Sequence, residues 1–253
     1  MSAPGFVDVA ISLLLVALAI VIARYWRIPV EKDMALGSVR AFVQLVAVGY
    51  ALKFIFDLQS IPLIIMALLV MILVGAQAAT GRVKKLKRVF VLTFTAMLAG
   101  SVITIAVMLL TRIISFEARY VIPLGGMIIG NAMNASALTI DRLASDINNN
   151  RLAIETSLSL GKSWRVASQK YTRDAATTGM LSMLNFMKTV GIVALPGAMT
   201  GMILAGAEPL EAVLLQVIVG YMLLSAVTVT SVVAVELTVR RFFTSFHQLR
   251  LDA

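Results

Sequence analysis

The sequence predicts an all-α, polytopic integral membrane protein with about seven transmembrane helices. Of its 253 residues, 60% are hydrophobic and 14% are charged, whereas about half of a soluble domain is apolar and about a quarter is charged. Apolar stretches of roughly the 20 residues that cross a bilayer fall at 6–23, 36–56, 61–79, 89–110, 120–140, 179–206 and 212–236. We therefore expect one transmembrane domain over residues 1–253, with a single substantial polar segment at about 141–178.

The basic residues between these stretches predict the orientation of the helices. If seven helices alternate, one side of the membrane carries Arg24, Arg27, Lys32, Arg82, Lys84, Lys85, Lys87, Arg88, Arg142, Arg151, Lys162, Arg165, Lys170, Arg173, Arg240, Arg241 and Arg250. The positive-inside rule places this side in the cytoplasm and the N-terminus outside. The net charge of +9 then reflects topology and contact with anionic lipid, so we expect membrane lipid, and no nucleic acid, as a partner.

The composition argues against a reaction centre in this chain. There is no cysteine and only one histidine, which excludes disulfides, thiolate metal sites and histidine clusters. No acidic residue lies deep in a predicted span, so neither a catalytic group nor a metal ligand can be assigned. We expect a protein that is not an enzyme.

Gly161-Lys162-Ser163 matches the end of a phosphate-binding loop. The complete motif needs a second glycine five positions upstream and a preceding buried strand, but that position is Thr156 and the preceding residues are polar and helix-like. We expect no nucleotide or other cofactor to bind this chain.

Five polar side chains within the spans are candidates for a substrate pathway: Arg40, Gln44, Asn131, Asn134 and Lys188. Polar groups at membrane depth are costly and usually face a bundle interior or a water-filled path. Alternatives remain, because Arg40 can reach lipid headgroups and the asparagines can form hydrogen bonds between helices. A cation at Lys188 favours an anion or a chelate over a free metal ion.

Small and helix-breaking residues predict where helices meet and where one is interrupted. Gly126 and Gly130 have the spacing that lets two helices pack closely. Pro196 and Gly197 interrupt the stretch at 179–206, so we expect a kinked or broken helix there, either as a hinge of a transport mechanism or as a structural kink.

Several segments together resemble one family. Val39 to Leu45, Gly125 to Ser136, Glu155 to Gly161 and, above all, Val190 to Gly206 followed by Glu208 to Ala212 are similar to the FetB-type iron-export permeases of the UPF0014 family, which also includes plant aluminium-sensitivity permeases. The resemblance covers about residues 39 to 225.

The resemblance implies the permease subunit of an ABC transporter, which has no reaction centre of its own. Such a permease pairs with a second copy of itself and with a separate cognate ATPase subunit that binds ATP and magnesium. It implies export of iron or another metal, or of a metal complex, across the plasma membrane, the inner membrane in bacteria. The residues that would couple to the ATPase are Glu155, Leu158, Leu160 and Gly161, with residues 141–178 as the cytoplasmic coupling segment.

An ATPase-independent secondary transporter or channel for a small solute is the alternative function. A proton-driven transporter usually carries acidic or histidine relays in its spans, and this sequence has none at such positions.

Overall fold

The computed structural model describes residues 5–58, 60–83, 86, 88–244, 246 and 248–250. Its helices are α1 (Phe6–Tyr25), α2 (Glu31–Leu58), α3 (Ile61–Arg82), α4 (Phe90–Leu110), α5 (Ala118–Asn149), α6 (Arg151–Ser159), α7 (Trp164–Thr189), α8 (Gly197–Leu204) and α9 (Pro209–Phe242). The only β-type pairings among the described residues are isolated bridges between Val190 and Ala194 and between Phe243 and Leu249. The predicted all-α fold is confirmed.

The chain divides into two compact units, Met1–Gln59 and Ser60–Ala253. In the first unit, α1 and α2 pack against each other. In the second, α5 and α9 form the centre, because α4 and α7 pack against both of them. The short helix α8 packs on α9, and α6 touches α5 and α7.

Six of the described helices are long and apolar enough to cross a membrane: Val7–Tyr25, Glu31–Phe56, Ile61–Arg82, Phe90–Leu110, Ala118–Asn149 and Pro209–Phe242. The sequence predicted a seventh span at 179–206. The structure divides that stretch between the end of α7 and α8, with residues 190–196 outside both helices. The orientation inferred from the basic residues stays a prediction.

The break between α7 and α8 has identifiable local causes. The Gly191 backbone has a φ of +84°, a left-handed conformation that favours glycine, and its N–H donates to the Ala194 carbonyl over 3.0 Å. Pro196 is the N-cap residue of α8, so the proline stands where a helix begins and its missing N–H removes no helical hydrogen bond. Residues 190–196 are therefore a compact turn rather than a bend within one helix.

The core of the second unit depends on very close helix contacts. At Gly179 of α7, an added Cβ would lie 2.0 Å from Thr139 Oγ1 and 2.7 Å from Ser231 Oγ. At Gly100 of α4, it would lie 2.0 Å from Thr230 Oγ1. Glycine at these positions lets α4, α5, α7 and α9 approach more closely than any side chain would allow.

A buried apolar cluster joins the ends of α5 and α9 to the first half of α7. It contains Leu143, Ile147, Ala175 and Phe242, and Ile154 of α6 is inserted into it. Because α6 is anchored in this cluster, a displacement of α6 would be transmitted directly to α5, α7 and α9.

Candidate functional site

A polar surface runs along neighbouring faces of α5 and α7. Asn134 of α5 and Ser182, Asn185 and Lys188 of α7 are exposed, and Asn131 is half-buried. The two helices pack against each other, and Asn131 and Ser182 line the same cavity. Within each helix, neighbouring members of this set are three residues apart and so lie on adjacent parts of the helix surface.

This surface lies within stretches that the sequence assigns to the membrane. Facing it toward hydrocarbon would take amides, a hydroxyl and an ammonium group out of water, which is costly. By contrast, the exposed face of α4 contains Val102, Ile103 and Val107 and can face lipid at no such cost. The α5 and α7 surface therefore fits a water-filled path or a contact with another polar protein surface.

One residue of this surface has a cationic partner that sequence reasoning missed. Arg82, at the end of α3, donates from Nη1 to Asn134 Oδ1 over 2.6 Å. From the sequence, Arg82 is only a marker of topology, because a contact between residues 52 positions apart leaves no spacing signal. Arg82 is thus a cationic partner of the predicted pathway residue Asn134.

Lys188 lies in the last turn of α7, immediately before the break. A cation there is favoured by the negative end of the helix dipole, which offsets part of the cost of its position. In the part of the chain that the structure describes, Lys188 forms no ion pair. Its role in a pathway stays a prediction.

A cavity of about 420 Å³ opens beside the helix break. Its polar lining consists of Asn131, Ser182 and Gln216, and Pro196, Gly197 and Ala198 at the start of α8 form another wall. The Asn131 amide donates from Nδ2 to the Met127 carbonyl over 2.9 Å. The cavity thus brings the predicted pathway residue Asn131 next to the predicted hinge residues Pro196 and Gly197.

Gln216 is a functional candidate that sequence reasoning missed. Its side chain lies in α9 and is only 7% exposed, and its Oε1 atom has no hydrogen-bond partner. A signal was present in the sequence, since Gln216 interrupts an otherwise apolar run from 212 to 219.

The remaining pathway candidates lie in the other unit. Arg40 and Gln44 are both exposed on α2 and share one face of that helix because they are four residues apart. Their assignment to a pathway stays a prediction.

The predicted packing pair Gly126 and Gly130 is not the tight contact of α5 within the chain. A Cβ added at Gly125 would lie 2.4 Å from Leu68 Cδ2, whereas a Cβ added at Gly130 would have nothing within 4 Å. At Gly126 the nearest atom would be Met71 Cε at 3.1 Å. The close approach to α3 therefore uses Gly125, while a role of Gly126 and Gly130 in packing against a second chain stays a prediction.

The predicted coupling residues form an ordered surface helix and its cap. Ile154 of α6 is 1% exposed, whereas Leu152 and Leu160 are 78% and 74% exposed. Leu158 packs partly against the buried cluster, and Glu155 pairs with Arg151 over 3.8 Å. One side of α6 is thus anchored, and the apolar side chains of Leu152 and Leu160 extend away from the protein.

Gly161 ends this helix. Its φ is +81°, and its N–H and that of Lys162 donate to the carbonyls of Leu158 and Ser157 over 2.9 and 3.2 Å. This is the hydrogen-bond pattern of a glycine-terminated helix. The glycine in Gly161-Lys162-Ser163 therefore has a structural reason that is unrelated to phosphate binding.

An aromatic contact fixes the segment that follows. Trp164, the first residue of α7, stacks on Phe243 with ring centroids 5.7 Å apart, and the Arg165 guanidinium lies 5.3 Å from the Trp164 ring centroid. The contact ties the start of α7 to the end of α9. Residues 150–164 are therefore held at two points, by Ile154 in the buried cluster and by Trp164 against Phe243.

No group of three or more His, Cys, Asp or Glu side chains that could hold a metal ion occurs among the described residues. Side-chain donors near the cavity are instead neutral amides and a hydroxyl.

A family model described as "Uncharacterised protein family (UPF0014)" matches residues 6–243. The chain belongs to the UPF0014 family. Among its relatives, the "Probable iron export permease protein FetB" of Escherichia coli (strain K12) is 37% identical over 96% of this chain and 93% of that protein. The "Protein ALUMINUM SENSITIVE 3" of Arabidopsis thaliana is 37% identical over 97% of this chain and 90% of that protein.

A third UPF0014 relative, the membrane protein STAR2 of Oryza sativa subsp. japonica, is 38% identical over 92% of this chain and 82% of that protein. No solved structure matches the chain. The family match, together with six helices long and apolar enough to cross a bilayer, establishes a multi-pass membrane protein of the UPF0014 family.

Proposed function

We propose that this protein is the permease subunit of an ABC transporter and exports iron or another metal, free or as a complex, from the cytoplasm. The energy comes from a separate ATPase subunit that binds ATP and magnesium. The observation that carries the proposal is α6, a short surface helix anchored by Ile154 and ending at Gly161, with two leucines that no other part of the described chain covers.

Docking through α6 follows a recognised physical mode. An amphipathic helix binds in an apolar groove of its partner through a few anchor residues, and Leu152 and Leu160 are suitable anchors. ATP-driven closure of two ATPase subunits would move α6, and the cluster around Ile154 would pass the movement to α5, α7 and α9. The break at residues 190–196 then gives α7 and α8 freedom to move relative to each other.

The name of the E. coli relative, a probable iron export permease, supports metal as the substrate and export as the direction. The polar surface of α5 and α7 supports transport more generally, because it supplies a route for a polar solute through an otherwise apolar bundle. A second copy of the chain, packed with this surface facing its own, would enclose the route and remove the polar groups from lipid.

Docking can be tested with single substitutions that leave the fold intact. Leu160→Ser removes an exposed anchor without touching the buried cluster, and we expect it to lower co-purification with the cognate ATPase by about tenfold, the effect of about 1.4 kcal/mol. Leu110→Ser is the matched control, because Leu110 is 83% exposed and lies on the predicted external side. Equal recovery of ATPase with parent, Leu160→Ser and Leu110→Ser would contradict docking through α6.

A further inference from the structure

We propose that the turn after α9 is a second contact for the ATPase subunit, with Phe246 as its anchor. This turn comprises residues 242–250, of which 245 and 247 lie outside the described residues. The inference rests on the proposed function, because it assigns a further surface to the same partner. The chemistry of the turn fits a partner that offers an apolar pocket for one aromatic ring, bordered by acidic side chains.

Backbone hydrogen bonds close this turn. Phe243 and Leu249 form an antiparallel bridge, and the Thr244 N–H donates to the Gln248 carbonyl over 2.8 Å. Phe246 lies midway between the bridged residues and is 81% exposed. Aromatic side chains are frequent anchors at protein interfaces, and an anchor that is already ordered loses less conformational entropy on binding.

The base of the turn is fixed to the segment that follows α6. Phe243 is 4% exposed and stacks on Trp164 with ring centroids 5.7 Å apart. Phe243 belongs to the buried cluster that holds Ile154 of α6, and Leu249 packs against that cluster. Trp164 comes only three residues after Gly161, where α6 ends. The turn and α6 therefore lie at the same end of the second unit, where one partner can contact both.

The length of α9 places the turn away from the hydrocarbon core. Its 34 residues extend about 51 Å, whereas the core is about 30 Å thick. Residues 212–235 contain no charged side chain and are long enough by themselves to cross it. The exposed ion pair of Glu236 and Arg240, 2.6 Å apart, indicates that the helix beyond 235 lies outside the core. The turn then begins about 10 Å further on, which favours a protein partner over lipid.

Unpaired positive charge surrounds the anchor. Lys162, Arg165 and Arg250 are exposed, and none of them forms an ion pair within the described part of the chain. Arg250 belongs to the turn itself, and the Arg165 guanidinium lies 5.3 Å from the ring centroid of Trp164. Charges around an apolar anchor select a partner of opposite sign and accelerate its association. The pocket that receives Phe246 should therefore have an acidic border.

A labelled thiol at position 246 tests the contact directly, because the chain contains no cysteine. Phe246→Cys and Leu160→Cys, each carrying a bimane label, are reconstituted in phosphatidylcholine nanodiscs, and emission is recorded before and after addition of the cognate ATPase. We expect a blue shift at both positions, since each label enters an apolar environment. Labelled Phe116→Cys is the control and should not shift, because Phe116 precedes α5 whereas α6 follows its other end.

The two labelled positions separate this inference from the proposed function. A shift at 160 without one at 246 would overturn the second contact and leave docking through α6 intact. A shift at 246 alone would contradict docking through α6 and support the second contact. Lipid is tested by repeating the measurement in nanodiscs that contain phosphatidylglycerol. A shift at 246 that this lipid causes without ATPase would assign the turn to the membrane surface and overturn the proposal.

Co-purification with the ATPase tests the anchor and the charge separately. We expect Phe246→Ser and Arg250→Glu each to lower ATPase recovery about tenfold, the effect of about 1.4 kcal/mol. Phe116→Ser and Arg112→Glu are the matched controls at exposed residues between α4 and α5, and they should recover as much ATPase as the parent. Parental recovery in both Phe246→Ser and Arg250→Glu would also overturn the proposal.

Discussion

Gly179 sets how closely α5, α7 and α9 approach. An added Cβ would lie 2.0 Å from Thr139 Oγ1, 2.7 Å from Ser231 Oγ and 3.0 Å from the Ala135 carbonyl oxygen. We expect Gly179→Ala to lower the free energy of unfolding by about 1–3 kcal/mol, the usual cost of overpacking. Thermal unfolding in detergent measures this change.

Gly201→Ala is the control for this substitution. Gly201 lies in α8 and has nothing within 4 Å of the added Cβ, so its replacement should be neutral or stabilising, since alanine favours a helix over glycine. A stability loss as large in Gly201→Ala as in Gly179→Ala would show that the close contact at Gly179 is not the cause.

Lys188 and Asn134 are expected to act in transport rather than in assembly. Both are exposed on the polar surface, and Asn134 accepts a hydrogen bond from Arg82. Each change removes a polar side chain from the proposed route, so we expect Lys188→Ala and Asn134→Leu each to slow metal export about tenfold or more, the effect of about 1.4 kcal/mol. The measurement is metal efflux from cells, with the amount of assembled complex determined in parallel.

The control is Thr95→Val on α4, because the Thr95 hydroxyl donates to the Val91 carbonyl of its own helix. Wild-type efflux in both Lys188→Ala and Asn134→Leu would show that these residues are not part of the pathway.

The cap of α6 has a backbone requirement that can be tested apart from side-chain chemistry. The φ of +81° at Gly161 is strained for most residues, at about 1–3 kcal/mol, but asparagine tolerates it better. We expect Gly161→Val to weaken ATPase co-purification strongly and Gly161→Asn to weaken it little. If the two variants lost ATPase equally, the shape of the helix end would not be what the partner recognises.

The boundaries of α7 show what hydropathy alone cannot predict. The apolar stretch begins at 179, yet α7 begins at Trp164, because its polar first half is held by buried Ser168 and Ala175 and by the contact between Trp164 and Phe243. Pro196 and Gly197 predicted an interruption, but the helix already ends at Thr189. Residues 190–196 are nearly as apolar as their neighbours, so hydropathy does not distinguish the turn from a helix there.

Contacts between distant residues account for what the sequence missed in the site. Apolar length and periodicity predicted the spans, and polar residues within them predicted Asn131 and Asn134. The partnership of Asn134 with Arg82 and the convergence of Gln216 with the start of α8 depend on which helices become neighbours. Neither leaves a local pattern in the sequence.

A second copy of the chain should cover the polar surface of α5 and α7. Leu138 is exposed on α5, seven residues after Asn131 and therefore on the same face. The sequence contains no cysteine, so a single introduced thiol reports on one position. We expect Leu138→Cys to form a disulfide-linked dimer in membranes under mild oxidation.

Val102→Cys is the control for crosslinking, because Val102 is exposed on the apolar face of α4 and is expected to face lipid. Equal crosslinking at positions 102 and 138, or none at 138, would contradict a dimer that encloses this surface.

In the proposed function, the whole molecule is a conduit that depends on external energy. The described spans contain polar groups but no assembled reaction centre, and the ordered helix α6 offers a surface for a partner. Flux measured in proteoliposomes tests this claim most directly, with the chain reconstituted alone or together with its cognate ATPase. We predict iron transport against its gradient only when both the ATPase and ATP are present, and sustained uphill transport by this chain alone would contradict the account.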